Sequence, residues 1–512
     1  MGFLLDKNST ISAYLMNQER KNIFFLPIIS IIILGAICYA GSLNGKFILD
    51  DELLVKENAL IANRAGPGTF LSTNIMAGAG MVSAFYRPLQ MITYALDHAI
   101  WDLNPFGYHI TNIFIHILTA LCIYWLINIL YNDNKLSFLT AALFVVHPMH
   151  TEAVSYISGR ADPLSALSML LCAIIYIKQV KLGRAGVSGC ALLILTYVLA
   201  LLSKEMSVVL PLLLLLYHFV FKKKVRWPAF VSLLSVLAVY LLVRFTYLRD
   251  ISFPTNIGID TMLNRIPGFF AAILNYIKLL FVPIPLHMEY GARLFRFADP
   301  IVVSGMVVVF NILVFAYTKR NNKVVLFSIG WFFLALLPSA NLYKVNAYMA
   351  EHFLYLPSIG FFLLAAYVLT NIYNNKRYKI IGLALMVTAI LFYSVLTIKQ
   401  NEYWRDPITF YTRTIEFAPP SANIYYGRGI IYDKKGDYDK AISDYTMAIK
   451  IKPDYTDAYN NRGIVHSKMG NYEQAISDYA MAIKIDPDYI PAQKNLIKAR
   501  KDSGRIAEGH SR

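Results

Sequence analysis

Apolar runs of about 17–22 residues recur between Asn22 and Lys399, and that recurrence limits the fold more than any other feature of the chain. A helix needs about 20 apolar residues to cross the ~30 Å hydrocarbon core of a bilayer. Inside hydrocarbon every backbone N–H and C=O must be bonded within the protein, a condition helices meet unaided. The 512 residues are 57% hydrophobic with a mean hydropathy of +0.48. An all-α, polytopic membrane domain over residues 1–400 follows. Its spans are expected at 23–43, 108–131, 136–148, 163–180, 187–202, 206–221, 228–247, 300–318, 324–340, 353–371 and 379–398, eleven in all.

Charge orients these spans. Residues 401–512 hold 17 Lys/Arg against 15 Asp/Glu, so almost all of the chain's net +16 belongs to the membrane part. Basic residues in short loops mark the cytoplasmic side. Nucleic-acid binding would instead put a basic stripe on the soluble part. Glu19-Arg20-Lys21 before the first run reads as an uncleaved anchor with a cytoplasmic N-terminus. Alternation then puts Lys135, Lys178/Lys181/Arg184 and Lys222–Arg226 inside, and the long loop 44–107 outside. The segment 268–283, with Asn275 and Lys278 and a Pro-Ile-Pro end, is ambiguous. If it is interfacial or half-inserted, the basic loops 319–323 and 376–379 also fall inside. Of 17 acids in residues 1–400, only Asp6, Glu19 and Asp133 are then cytoplasmic, so the working face is expected outside. Cys38, Cys122, Cys172 and Cys190 lie in apolar runs without metal-ligand spacing and read as buried hydrophobes.

Polar residues between apolar runs mark the candidate site, because ionisable groups at a membrane boundary are costly. Asp50-Asp51-Glu52 follows the first span; an acid there can act as a base, and Asp50 with Asp51 suits a divalent cation, as His147, His150 and Glu152 do by ligand type. No cofactor is otherwise called for. Arg87, in Tyr-Arg-Pro-Leu, suits a phosphate or a snorkelling position. His109, Asn112 and His116 share one helix face, as ligands or as a hydrogen-bond seam. The block His147–Asp162 holds His147, His150, Glu152, Arg160 and Asp162. Its histidines match no zinc spacing, and Arg160 braced by Asp162 is the expected phosphate contact. Lys204-Glu205 and Glu351-His352 complete the outer set, with Arg87, Arg160 and Lys204 as the phosphate cations.

The tail repeats with a period of 34: residues 421–454 and 455–488 match at Tyr425/Tyr459, Gly429/Gly463, Gly436/Gly470, Ala441/Ala475, Tyr445/Tyr479, Ala448/Ala482 and Pro453/Pro487. This is similar to the tetratricopeptide (TPR) pattern of paired helices. Residues 401–420 hold a degenerate half-repeat, with Asp406–Phe417 as its helix, and 489–512 a capping helix and tail. Tyr425, Tyr459 and Asn460 are the residues expected to meet a peptide or partner protein.

Taken together, Asp50-Asp51, Tyr-Arg-Pro-Leu, Leu-Asn-Pro-Phe-Gly-Tyr-His, His-Pro-Met-His-Thr-Glu-Ala-Val-Ser-Tyr-Ile-Ser-Gly-Arg-Ala-Asp, Ser-Lys-Glu and the repeats resemble the transmembrane-and-TPR (TMTC) proteins of the GT-C glycosyltransferase superfamily. The resemblance implies transfer of mannose from a polyprenyl-phosphate donor to protein Ser/Thr on the non-cytoplasmic face, with Asp50 or Asp51 as base. Family members often carry many repeats; this chain has two full ones. A bacterial inner membrane, with an undecaprenyl donor, suits its compact form. Two other readings share the outer polar face: a non-enzymatic scaffold recruiting a partner through the repeats, and a lipid-linked polysaccharide polymerase or ligase.

Overall fold

The computed structural model describes residues 25–81, 83, 85–183, 186–248, 264–291, 293–340 and 347–510. Asp6, Glu19, Arg20, Lys21 and Arg184, used above to orient the chain, lie outside these residues. The described residues are helical, with no strand among them. The chain separates into a membrane unit, essentially residues 1–402, and a second unit formed mainly by 403–512.

The longer helices of the membrane unit are α1 (Phe25–Asn44), α2 (Pro88–Trp101), α3 (Pro105–Tyr131), α4 (Asn134–Val146), α5 (Ala161–Leu182), α6 (Val187–Ser203), α7 (Leu210–Phe221), α8 (Trp227–Thr246), α9 (Ile266–Phe281), α10 (Pro300–Thr318), α11 (Lys323–Leu336), α12 (Ser358–Asn374) and α13 (Lys379–Tyr403). Their starts follow local chemistry. Pro occupies the first turn of α2, α3, α8 and α10, where a missing N–H costs nothing. Asn104, Asp133 and Asn322 accept hydrogen bonds from the first free N–H groups of α3, α4 and α11.

Six of the expected spans lie on helices long and apolar enough to cross a bilayer: α1, α3, α5 with its leading turn (Ile157–Leu182), α8, α10 and α13. The other five lie on α4, α6, α7, α11 and α12, which have only 12–17 residues. At 1.5 Å per residue a helix of 13 residues is about 20 Å long, short of the hydrocarbon thickness. Every residue of α4 from Leu136 to Val146 except Phe138 is buried inside the unit, so its length answers to neighbouring helices and not to lipid.

The loops sort to two ends. The Tyr131 hydroxyl donates to the Lys323 carbonyl (3.3 Å), the Arg226 guanidinium to the Gln179 carbonyl (3.0 Å), and Lys135 and Lys379 both lie over the Tyr373 ring. The basic loops thus share one end, including 319–323 and 376–379. This is the arrangement in which α9 adds no crossing. α9 packs along α10, with the Phe270 backbone against Gly305, and ends with Phe281 edge-on to Phe361.

The second unit contains α14 (Pro407–Phe417), α15 (Ala422–Lys435), α16 (Tyr438–Ile451), α17 (Thr456–Lys468), α18 (Tyr472–Ile485) and α19 (Ile490–His510). Asp406 caps α14, which lies over the residues expected for the half-repeat's helix. The matched small residues are contact points. A Cβ on Gly429 would lie 2.7 Å from the Tyr445 ring, and one on Gly463 2.8 Å from the Tyr479 ring. Gly436 and Gly470 both take φ +79°, the left-handed turn that joins the helices of each pair. Arg428 bridges Asp444 with two bonds of 2.8 Å and reaches Thr412; Arg462 repeats this on Asp478 and Thr446.

Gly463→Val forces a branched side chain into the Tyr479 ring and should destabilise the repeats by about 1–3 kcal/mol. Limited proteolysis of the full chain should then release tail fragments faster than for Ser467→Ala.

Candidate active site

The two neighbouring acids of the loop after α1 have different surroundings. Leu49 takes φ +50°, turning the chain so that Asp51 points inward and Asp50 outward. Asp51 is fully buried. One carboxylate oxygen accepts from the Ile48 N–H (3.1 Å), the other from the Ser158 N–H (2.8 Å) and hydroxyl (2.5 Å). Burial pushes its pKa up to about 7, while those donors pull it down. Asp50 is exposed, and its backbone N–H donates to the Tyr156 hydroxyl (3.2 Å). Desolvation raises its carboxyl above the usual range; the Tyr156 hydroxyl and the Arg87 charge pull it back.

Three ion pairs join segments far apart in sequence. Arg87 holds Glu205 through Nε (3.2 Å) and a terminal nitrogen (2.8 Å). Lys204 meets both oxygens of Asp162 at 2.7 Å. Glu152 accepts from the His352 backbone N–H (2.9 Å) and lies 2.7 Å from its Nδ1. Burial alone would raise Glu152, but His352 holds it below its usual value. Asp162, Lys204 and His352 line one cavity of about 30 Å³ together with Ser165 and Tyr355. Glu351 is buried beside His352. Thus Asp50, Arg87, Glu152, Asp162, Lys204, Glu205, Glu351 and His352 all lie at the end of the unit opposite the basic loops.

Arg160 does not contact Asp162 and is not available to a phosphate. It is fully buried, paired with Asp97 at 2.5 Å, bonded to the Asn112 side chain (2.6 Å) and the Tyr108 carbonyl (3.0 Å), with Tyr94 under its guanidinium. Residues two apart at a helix start do not face each other. That geometry left Asp162 to Lys204.

The histidines are likewise structural. His147 lies 3.2 Å from the Leu280 carbonyl, and its other nitrogen accepts from the Met149 N–H. His150 bridges the Phe144 carbonyl (2.8 Å) and the Ser358 hydroxyl (3.1 Å). His116 bridges the Val145 carbonyl and the Tyr355 hydroxyl. Each ring lies against a carbonyl at a helix end, and Phe144 stands four residues before Pro148, which has no N–H to offer it. His109 is buried against Gly45, away from any substrate surface. The seam along α3 is a packing device: the Asn112 amide donates to the carbonyls of Val154 and Tyr156.

Among the described residues no three His, Cys, Asp or Glu side chains gather as a metal-ligand set. Asp51's oxygens are committed to the fold, so of the two acids only Asp50 is left for a cation. In the tail, Asn460 is buried and accepts from Asn495 (2.9 Å), so it stitches helices and is not a groove residue. Tyr425 and Tyr459 are partly buried, under Arg428 and Arg462 respectively.

Sequence reasoning passed over Arg244, an ionisable residue inside an apolar run, and Asp97. Arg244 donates to the Tyr240 hydroxyl (3.2 Å). Tyr86 and Tyr240 line a cavity of about 520 Å³ whose other walls are almost wholly apolar: Ile194, Val198, Leu201, Val236, Val239 and Val243.

Residues 422–455 and 456–489 match the tetratricopeptide repeat family. The chain is 27% identical to the protein O-mannosyl-transferase F38B6.6 of Caenorhabditis elegans, over 82% of this chain and 61% of that protein. It is 25% identical to the human protein O-mannosyl-transferase TMTC1, over 80% and 53%. The chain therefore spans about half to three fifths of the length of these relatives. The resemblance drawn from its motifs is borne out. Among solved structures, ArnT from Cupriavidus metallidurans bound to undecaprenyl phosphate aligns over 89% of this chain and 80% of its own, with 12% identity and a TM-score of 0.42.

Removing one partner of the Arg160–Asp97 pair strands a buried charge, at a cost of about 3–5 kcal/mol. Arg160→Ala and Asp97→Ala should therefore both lower the melting temperature in detergent. The double variant Asp97→Leu/Arg160→Met should recover part of the loss, which a phosphate-binding role for Arg160 does not predict.

Proposed function

We propose, for a chain that is similar to the transmembrane-and-TPR O-mannosyl-transferases over four fifths of its length, that it transfers mannose from a polyprenyl-phosphate donor to a protein hydroxyl at the non-cytoplasmic face of a membrane. Asp50 is the base. The observation that carries this reading is the division between the two acids: Asp51 is consumed by the fold, and Asp50 stands open beside Arg87.

The chemistry follows from the side chains. Asp50 removes the proton of a Ser or Thr hydroxyl as its oxygen bonds to the sugar C1. The C1–O bond to phosphate breaks, and the phosphate leaves with the electron pair, inverting the configuration at C1. A guanidinium carries five N–H donors. Arg87 spends two on Glu205 and has others for the leaving phosphate. Lys204, buried and saturated by Asp162, is a positioning charge in this reading. The 520 Å³ cavity next to Tyr86 is an apolar seat for the donor's isoprenoid chain, with Arg244 near its polar edge. A general base contributes about 10²–10⁴-fold, and preorganised cations at the leaving group a comparable amount. The tail presents the acceptor protein, and the basic loops face the cytoplasm, by the positive-inside rule.

Asp50→Asn should lower kcat by about 10²-fold or more with little change in melting temperature. Asp51→Asn should lower the melting temperature first. If Asp50→Asn retains full activity in liposomes containing the donor, the assignment of the base fails.

The base form of Asp50 exists only above its pKa. Because that pKa is raised, the acid limb of the kcat profile should lie above the usual carboxylate value of ~3.9. A rate independent of pH from 4 to 7 contradicts Asp50 as the base.

A further inference from the structure

An apolar stripe runs from the outer loop onto a membrane-crossing helix, broken at the turn by exposed Asp102 and Asn104. On α2, Leu96 is 57% and Ile100 71% exposed. Trp101 and Leu103 continue the stripe through the turn, and Phe106, Ile110 and Phe114 carry it down one face of α3. The corner is rigid. The Trp101 indole covers Gly107, where a Cβ would overlap it, and meets Phe106 edge-on at 6.1 Å. The other face of α2 is buried, and its polar side chains meet the segment 157–160. Gln90 donates to the Ser158 carbonyl (2.9 Å), the Tyr94 hydroxyl to the Ile157 carbonyl (3.0 Å), and Asp97 pairs with Arg160.

We propose that α2 and the turn after it lie on the bilayer surface, with Leu96, Ile100, Trp101 and Leu103 in the acyl boundary, and that this seat fixes the height of Asp50 above the membrane. The occupant of the stripe is lipid because the stripe leads onto the lipid-facing side of α3, a helix of 27 residues long and apolar enough to span. An amphipathic helix with a Trp at its rim binds such an interface. The link to Asp50 is short: α2 holds the Ile157–Ser158 carbonyls, and Ser158 holds Asp51, the next residue. The second part of the proposal rests on the transferase reading given above; the first does not.

The full chain in phosphatidylcholine–phosphatidylglycerol liposomes tests both. Cys38, Cys122 and Cys172 are buried, so a Cys190→Ala background accepts single nitroxide labels. Labels at Ile100→Cys and, as a second site, Leu96→Cys should collide more with oxygen than with a water-soluble nickel chelate; a label at exposed Asn63→Cys should do the reverse. Nickel access at 96 and 100 equal to that at 63 overturns the seat. Mutual broadening between labels at 100 also overturns it, because a second copy then covers the stripe. In the activity arm, Ile100→Asp should lower transfer from a long-chain donor in liposomes about tenfold, yet stay within about twofold of the unaltered chain on a short-chain donor in detergent. Equal loss on both donors overturns the height argument. If the unaltered chain uses neither donor, the transferase reading fails, and the label depths still decide the seat.

Discussion

The buried Arg160–Asp97 pair is the contact on which the polar end of the membrane unit depends. A charge removed from water needs a partner and further hydrogen bonds to offset the lost hydration. Arg160 collects α2 through Asp97 and Tyr94, and α3 through Asn112 and the Tyr108 carbonyl. Two residues before it, Ser158 grips Asp51. The floor beneath Asp50 is thus a rigid polar knot. Lys204–Asp162, Arg87–Glu205 and Glu152–His352 repeat the same rule around it.

That rule explains the contrast between the residues that build the site and those offered to a substrate. The block from His147 to Asp162 is rich in ionisable groups, yet most of them serve the fold. Its histidines take up carbonyls at helix ends, and its arginine is internal. What remains open is small: the Asp50 carboxylate, the unused N–H groups of Arg87, and the partly exposed His352 ring. Catalysis by a fixed base and a fixed cation calls for this kind of preorganisation.

The architecture was largely legible in the sequence because its signals are local. Apolar length, helix caps and the 34-residue period each act within a few turns, and they located the helices and both repeats. The gathering of Asp50, Arg87, Asp162, Lys204 and His352 at the end opposite the basic loops is the one expected from alternation of the spans. Partners were harder. Asp162 is two positions from Arg160 in sequence, but Asp97, 63 positions upstream, reaches it in space. Asp50 and Asp51 cannot be ranked from a pattern, since only the turn at Leu49 sends one inward. The repeat pattern puts Asn460 among the partner-binding residues, yet Asn495 of the last helix donates to its side chain. The count of long helices falls short of eleven because helices such as α4, enclosed by protein, have no need to match the bilayer.

The central claim is that this membrane unit moves a mannose from a phosphate leaving group to a protein hydroxyl with inversion at C1. The most direct measurement reconstitutes the full chain in liposomes with a β-linked polyprenyl-phosphate mannose and a Ser/Thr-rich acceptor protein. Intact-mass and linkage analysis of the acceptor then follow. The account predicts a single-hexose increment in α linkage on Ser or Thr. A β-linked product, or sugar found only on a growing lipid-linked glycan, would contradict it.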